Sequence, residues 1–112
     1  MLDPKIERII KRYAEQIRTK FEIHELILFG SYARGTATAE SDVDLAVVFK
    51  NEIQARSEVL IELCDLAYEI LLETDIDISP FPVSMIELQT PESHSNPYLI
   101  QNILREGVSF IL

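Results

Sequence analysis

Apolar positions near the start of the chain recur every three or four residues, the period of a helix buried along one side. They are Ile6, Ile9, Ile10, Tyr13, Ala14 and Ile17. Asp3 can cap the first turn, and Pro4 suits the first helical position, where no N–H is needed. The pattern predicts an amphipathic packing helix.

Two segments further along read as buried strands, Ile23–Phe29 and Val43–Phe49. The first ends at Gly30-Ser31, and the polar stretch that follows is expected to hold a short helix and then a loop. Side chains alternate along the second strand. One face carries Asp42, Asp44, Ala46 and Val48, and the other carries Val43, Leu45, Val47 and Phe49.

A helical pattern returns from about residue 51 to residue 73, with one wide apolar stripe. Its members are Val59, Leu60, Leu63, Leu66, Ala67, Ile70 and Leu71. Cys64 lies beside the stripe and is expected to be a buried, inert thiol. Thr74–Ser79 then reads as a third strand, which Pro80 and Pro82 end or confine to a sheet edge.

The last third of the chain contains two helix starts. Ser84 begins a capping box, and Asn96 precedes a proline that opens a helix running to Glu106. Gly107 stops that helix, and residues 108–112 read as a closing strand. The whole order predicts a single α/β (α+β) domain over residues 1–112, a small mixed sheet flanked by helices.

Composition narrows the function classes. The chain has 112 residues, and no apolar run approaches the ~20 residues of a membrane span. Its one cysteine excludes an internal disulfide, its N-terminus does not resemble a signal peptide, and we expect a cytoplasmic protein without membrane partners. The net charge of −9 argues against stable nucleic-acid binding, although a cation can bridge the protein to a polyanion.

Asp42 and Asp44 would carry their carboxylates on one strand face, only a few ångströms apart. Like charges so close resist joint ionisation unless a cation lies between them. Oxygen ligands favour Mg²⁺ over zinc. Asp75 and Asp77 alternate in the predicted third strand, and either one could supply a third carboxylate for a two-ion phosphoryl- or nucleotidyl-transfer site.

Gly30-Ser31 at a strand end suits phosphate binding, because glycine lets backbone N–H groups approach an anion closely. Gly30-Ser31, a loop and Asp42-Val43-Asp44 together resemble the signature of the polymerase-β-like nucleotidyltransferase superfamily. The fuller string GSYARGTATAESDVDLAVV is similar to its minimal nucleotidyltransferases (MNT), and the likeness extends to the ending NPYLIQNILREGVSFIL.

The resemblance implies specific roles. Gly30 and Ser31 hold the β- and γ-phosphates of ATP or another NTP, and Arg34 either contacts a phosphate or is a surface residue. Asp42 and Asp44 bind two Mg²⁺ ions. The third carboxylate, for which the resemblance favours Asp77 over Asp75, completes the metal site and helps activate the attacking hydroxyl.

Three functions are consistent with these residues. The first is transfer of NMP, expected to be AMP, to an acceptor hydroxyl. The resemblance implies that MNT proteins often pair, as antitoxins, with a helical HEPN toxin and neutralise it, in some cases by adenylylating it. The second is an antitoxin that neutralises its partner by contact alone. The third is an antibiotic-type small-molecule transferase, although such enzymes usually carry an additional helical domain. We also expect the protein to form a homo- or hetero-oligomer. The residues after Pro82 and the closing strand are the candidate surfaces for contact with another chain.

Overall fold

The computed structural model describes residues 2–111, with the side chain of Ile111 left aside. One four-stranded sheet has the order β3-β2-β1-β4; β2 and β3 are parallel, and the other neighbours are antiparallel. The elements are α1 (Pro4–Arg18), β1 (Ile23–Phe29), α2 (Ser31–Arg34), β2 (Val43–Phe49), α3 (Arg56–Thr74), β3 (Ile78–Ser84), α4 (Met85–Gln89), a 3₁₀ turn (Pro91–Ser93), α5 (Pro97–Glu106) and β4 (Val108–Ile111).

The sheet separates two apolar cores, as the alternation along β2 predicts. Val43, Leu45, Val47 and Phe49 pack with α1 and α3 on one face, and Ala46 and Val48 pack with α5 on the other. All six apolar residues predicted for the inner side of α1 are buried. Asp42 and Asp44 therefore belong to the face that α5 covers, at the end of the sheet where β2 begins.

The predicted helix starts are confirmed by their hydrogen bonds. The Asp3 side chain accepts from the Lys5 backbone N–H at 2.9 Å, and Asn96 Oδ1 accepts from the Leu99 N–H at 3.3 Å. Ser84 and Glu87 exchange the two bonds of a capping box. These caps satisfy N–H groups that the first helical turn leaves without partners.

The prediction for the third strand is wrong in its position. The segment Thr74–Asp77 is not a strand: α3 continues through Thr74, and Asp75 ends it in the left-handed conformation at φ 62°. The strand β3 instead contains Pro80 and Pro82. It tolerates them because it is an edge strand, paired only with β2, which agrees with the predicted confinement of the prolines to an edge.

The prediction that Cys64 is buried is also wrong, since its side chain is exposed. The buried side of α3 consists of Leu63, Ala67 and Ile70, and each step along a helix turns by about 100°. Cys64 is thereby turned toward solvent. Of the helices within residues 2–111, none is long and apolar enough to cross a membrane.

Candidate active site

The turn after β1 brings the backbone against an aspartate. Phe29, the last residue of β1, pairs with Asp44 of β2, and Gly30 follows with φ 76° and ψ −154°. Only glycine adopts this conformation readily. A Cβ added at Gly30 would also overlap the Asp44 carboxylate. Position 30 therefore requires glycine for two independent reasons, and the result is a close approach of the turn to Asp44.

The environment of Asp44 disfavours its negative charge. Its side chain is partly buried, whereas Asp42 is exposed. Burial raises the pKa of Asp44, and the negative charges of Asp42 and Glu106 raise it further, while Arg34 opposes them. The site thus concentrates negative charge that a bound cation would relieve.

Asp77 joins this pair although it does not lie in a strand. The Val43 N–H donates to the Asp77 carbonyl at 2.8 Å, and Val43 pairs with Ile78, so the parallel register sets Asp77 beside Asp42. Burial raises the pKa of Asp77, and the Asp42 charge adds to the effect. Asp75 instead occupies the exposed end of α3. The structure therefore places Asp77, not Asp75, next to the aspartate pair.

The carboxylates of Asp42, Asp44 and Asp77 suit Mg²⁺, because oxygen atoms are the ligands that this ion prefers. Within residues 2–111, no three His, Cys, Asp or Glu side chains converge closely enough to enclose one ion. That arrangement still fits Mg²⁺, which commonly takes one or two carboxylates and completes its shell with water and substrate phosphate. The placement of Asp42 next to both Asp44 and Asp77 supports a cation here, because burial and the Asp42 charge raise the pKa of both neighbours.

Arg34 and the Gly30 turn share an acceptor that sequence reasoning missed. Arg34 Nη1 donates to Glu106 Oε1 at 3.1 Å and Oε2 at 3.3 Å, and the Gly30 N–H donates to Glu106 Oε1 at 3.1 Å. Ser31, partly buried, begins α2 beside them. Glu106 is distant in sequence, but β4 pairs with β1 through Leu28 and Val108, so the end of α5 must lie near the end of β1.

A second polar cluster lies at the opposite end of the sheet. A cavity of about 300 Å³ is lined by Arg56, Ser84 and Glu87, and Ser84 pairs with Phe49, at the far end of β2 from Asp44. Arg56 donates to Glu87 at 2.8 Å. Burial would raise the pKa of Glu87, but the hydrogen bonds that it accepts from Arg56 and the Ser84 N–H hold that pKa below its ordinary value. This cluster is explained by the capping of α4.

The fold and the site together define a class. A glycine–serine turn after one strand faces two alternating aspartates at the start of the next, with a third beside them, in a mixed sheet flanked by helices. This is the arrangement of a nucleotidyl-transferring enzyme. The chain matches the family described as "Nucleotidyltransferase domain" over residues 10–109, and it belongs to that family.

Relatives in sequence carry a common name. A Methanocaldococcus jannaschii protein provisionally named a protein adenylyltransferase is 33% identical over 99 residues, 88% of this chain and 87% of the relative. A second one from that organism is 38% identical over 85 residues, 74% of this chain and 58% of the relative, so less than two thirds of its length is spanned. The protein adenylyltransferase MntA of Thermococcus cleftensis is 42% identical over 45 residues, 40% of this chain and 46% of that protein.

Solved structures share the fold. A toxin–antitoxin structure with AMP-PNP aligns at a TM-score of 0.61 and 22% identity, covering 92% of this chain and 70% of the other. A provisionally named nucleotidyltransferase from Sulfolobus solfataricus aligns at 0.59 and 18% identity, covering 92% and 77%. The nucleotidyltransferase fold expected from the sequence is therefore confirmed.

Proposed function

We propose that this protein is a Mg²⁺-dependent protein adenylyltransferase that moves AMP from ATP to a side-chain hydroxyl of a partner protein. The observation that carries the proposal is the Gly30 turn held against Asp44, with Asp42 and Asp77 alongside. The names of the relatives support AMP as the transferred group and a protein as the acceptor.

The reaction forms one bond and breaks one. The acceptor oxygen attacks the α-phosphorus of ATP, the bond from that phosphorus to the β-bridging oxygen breaks, and pyrophosphate leaves. The hydroxyl proton passes to the Asp77 carboxylate, which the parallel register of β2 and β3 sets beside Asp42.

Asp42 and Asp44 would hold the Mg²⁺ ions, with Asp77 as the third carboxylate. When bound, Mg²⁺ neutralises phosphate charge and stabilises the oxygens around the transferring group. The chain's own contribution is to keep two carboxylates on one strand face, beside a turn that cannot carry a side chain. The net charge of −9 disfavours the approach of a free triphosphate, and a bridging cation would offset this repulsion.

Gly30, Ser31 and Arg34 would hold the β- and γ-phosphates. The Gly30 N–H and the Arg34 guanidinium already donate to an anionic carboxylate, that of Glu106, so both are oriented as anion donors. The Ser31 hydroxyl, at the first residue of α2, can add a hydrogen bond to a phosphate oxygen. This supports Arg34 as a phosphate ligand over its alternative as a plain surface residue.

The partner we propose is a HEPN-type toxin, with this chain as its cytoplasmic antitoxin. The support is that the structural neighbours include toxin–antitoxin structures, one of them with AMP-PNP. The exposed face of α3 adds a feature that suits a protein partner, since Ile61, Tyr68 and Leu72 are 61%, 58% and 68% exposed. Monomeric proteins rarely expose clustered apolar side chains without an interaction to make.

The test is AMP transfer to the product of the neighbouring gene. The two proteins are co-purified and incubated with ATP and Mg²⁺, and the partner is weighed by intact-mass spectrometry. We expect the partner to gain one or more AMP groups, and Asp42→Asn or Asp44→Asn to abolish the gain while the complex persists. A complex that neutralises the partner equally well with these variants would establish action by contact alone. Transfer to free small molecules without any complex would favour the antibiotic-type enzyme.

A further inference from the structure

Glu106 uses the donors that the proposed function assigns to phosphate. Its Oε1 accepts from the Gly30 N–H and from Arg34 Nη1, both at 3.1 Å, and its Oε2 lies 3.3 Å from the same Arg34 nitrogen. The Glu106 side chain is 20% exposed, while that of Arg34 is 52% exposed. Glu106 is therefore the better enclosed member of the pair and lies on the inner side of the turn.

A carboxylate and a phosphate are both anionic acceptors, and they cannot share these donors fully. The Gly30 N–H has one hydrogen, so a short bond to Glu106 precludes an equally short bond to a phosphate oxygen. Arg34 prefers a two-oxygen partner, which either anion provides. The Glu106 charge would also repel a triphosphate held next to it.

The backbone of Glu106 cannot move aside easily. A Cβ added at Gly107 would overlap the Ile103 carbonyl and the Ile27 side chain, so α5 and β1 are closely packed at this point. Ile103 itself is buried in the core between the sheet and α5. We therefore expect Gly30 and Arg34 to be released by rotation of the Glu106 side chain, without displacement of α5.

We propose that Glu106 competes with the nucleotide's phosphate for the Gly30 N–H and Arg34, and so sets the affinity of this site for ATP. The inference rests on the proposed function, because it takes Gly30 and Arg34 as phosphate donors. It adds a claim about Glu106: when the nucleotide binds, the Gly30 N–H and Arg34 must exchange the Glu106 carboxylate for phosphate.

The experiment measures the dissociation constant of Mg²⁺-ATP by isothermal titration for the wild-type chain and for Glu106→Gln. Glutamine keeps an acceptor for the Gly30 N–H and removes the charge, so the fold is retained. We expect binding to tighten by about twofold to fivefold, the range for a partly exposed charge pair. The matched control is Glu58→Gln, which removes one charge from the first turn of α3, remote from this turn, and should leave the affinity unchanged.

Salt dependence and a second variant separate competition from a structural role. The gain from Glu106→Gln should shrink between about 0.05 M and 0.5 M salt, where charge interactions are screened. It should also shrink in an Arg34→Gln background. Equal or weaker binding by Glu106→Gln, with wild-type binding intact, would overturn this inference alone. Failure of the folded wild-type chain and of Glu106→Gln to bind Mg²⁺-ATP would overturn the proposed function and this inference with it.

Discussion

Gly30 and Asp44 lie so close that a side chain at position 30 would overlap the Asp44 carboxylate. The contact joins the end of β1 to the start of β2, where Phe29 and Asp44 are paired. The turn proposed to bind phosphate and the carboxylate proposed to bind metal are thereby fixed relative to each other by the pairing of β1 with β2.

Gly30→Ala should destabilise the fold by about 2–3 kcal/mol, because alanine is strained in this backbone conformation and also displaces the Asp44 carboxylate. Gly35→Ala is the comparison at a second glycine of positive φ, whose ψ of 20° lies in the left-handed helical region, where alanine is less strained than at Gly30. Gly35 has a similar φ of 77°, but nothing lies within 4 Å of its added Cβ. We expect it to cost only about 1 kcal/mol. Urea unfolding measures both, and equal losses for the two variants would contradict the contact.

Asp44→Asn should raise the thermal stability of the protein without ligand at neutral pH by about 2–4 °C. The raised pKa means that the folded state holds the Asp44 proton more tightly than the unfolded chain does, so ionisation destabilises the fold. This penalty is absent below the unfolded pKa, grows as the pH rises from the unfolded pKa to the folded one, and is complete above the folded pKa. The difference from wild type should therefore vanish near pH ~3.

The control for this measurement is Asp65→Asn, which removes an exposed carboxylate of α3. The melting temperature of Asp65→Asn should stay near that of the wild type at both pH ~3 and pH ~7. A lower melting temperature for Asp44→Asn at neutral pH would instead indicate that the ionised carboxylate supports the fold.

Asp77→Asn should lower AMP transfer by at least ~100-fold, the scale of losing a positioned base or ligand. Asp75→Asn is the comparison of equal size, and asparagine tolerates the left-handed conformation at that position. We expect it to retain most activity. If Asp75→Asn is the inactive variant, the register that sets Asp77 beside Asp42 does not describe the working enzyme.

Leu72→Gln on the exposed face of α3 should weaken co-purification of the partner while leaving the melting temperature within about 2 °C of wild type. Leu72 is 68% exposed, so its loss removes no core contact. Val108→Gln tests the closing strand in the same way, since Val108 is 46% exposed. If the complex survives Leu72→Gln but is lost with Val108→Gln, the partner binds at β4 and not at the exposed face of α3.

The sequence predicts those parts of the fold that depend on local pattern. The period of α1, the alternation along β2 and the caps at Asp3, Ser84 and Asn96 are local signals, and the structure confirms them. The start of β3 is not local: alternating residues after Thr74 read as a strand, but their backbone is set by where α3 reaches the sheet. Tertiary context overrides a short alternating pattern of this kind.

The candidate site also contains residues that local sequence predicts and residues that only the tertiary fold brings in. The Gly-Ser turn and the Asp-Val-Asp segment are contiguous and can be read from the sequence. Glu106 has no local signature, because its relation to Gly30 arises from the pairing of β4 with β1. The burial of Cys64 could not be predicted for a different reason. A residue at the border of an apolar stripe can face either the core or solvent, and Cys64 is exposed.

The central claim, that Asp42, Asp44 and the Gly30 turn form a cation-dependent nucleotide site, is tested most directly by titrating ATP into the purified chain. The titration is run with Mg²⁺ and with EDTA, for the wild type and for Asp44→Asn. The account predicts saturable binding by the wild type with Mg²⁺, and its loss both in EDTA and in a folded Asp44→Asn variant. Binding of equal strength in all of these conditions, or no binding by the folded wild type, would contradict it.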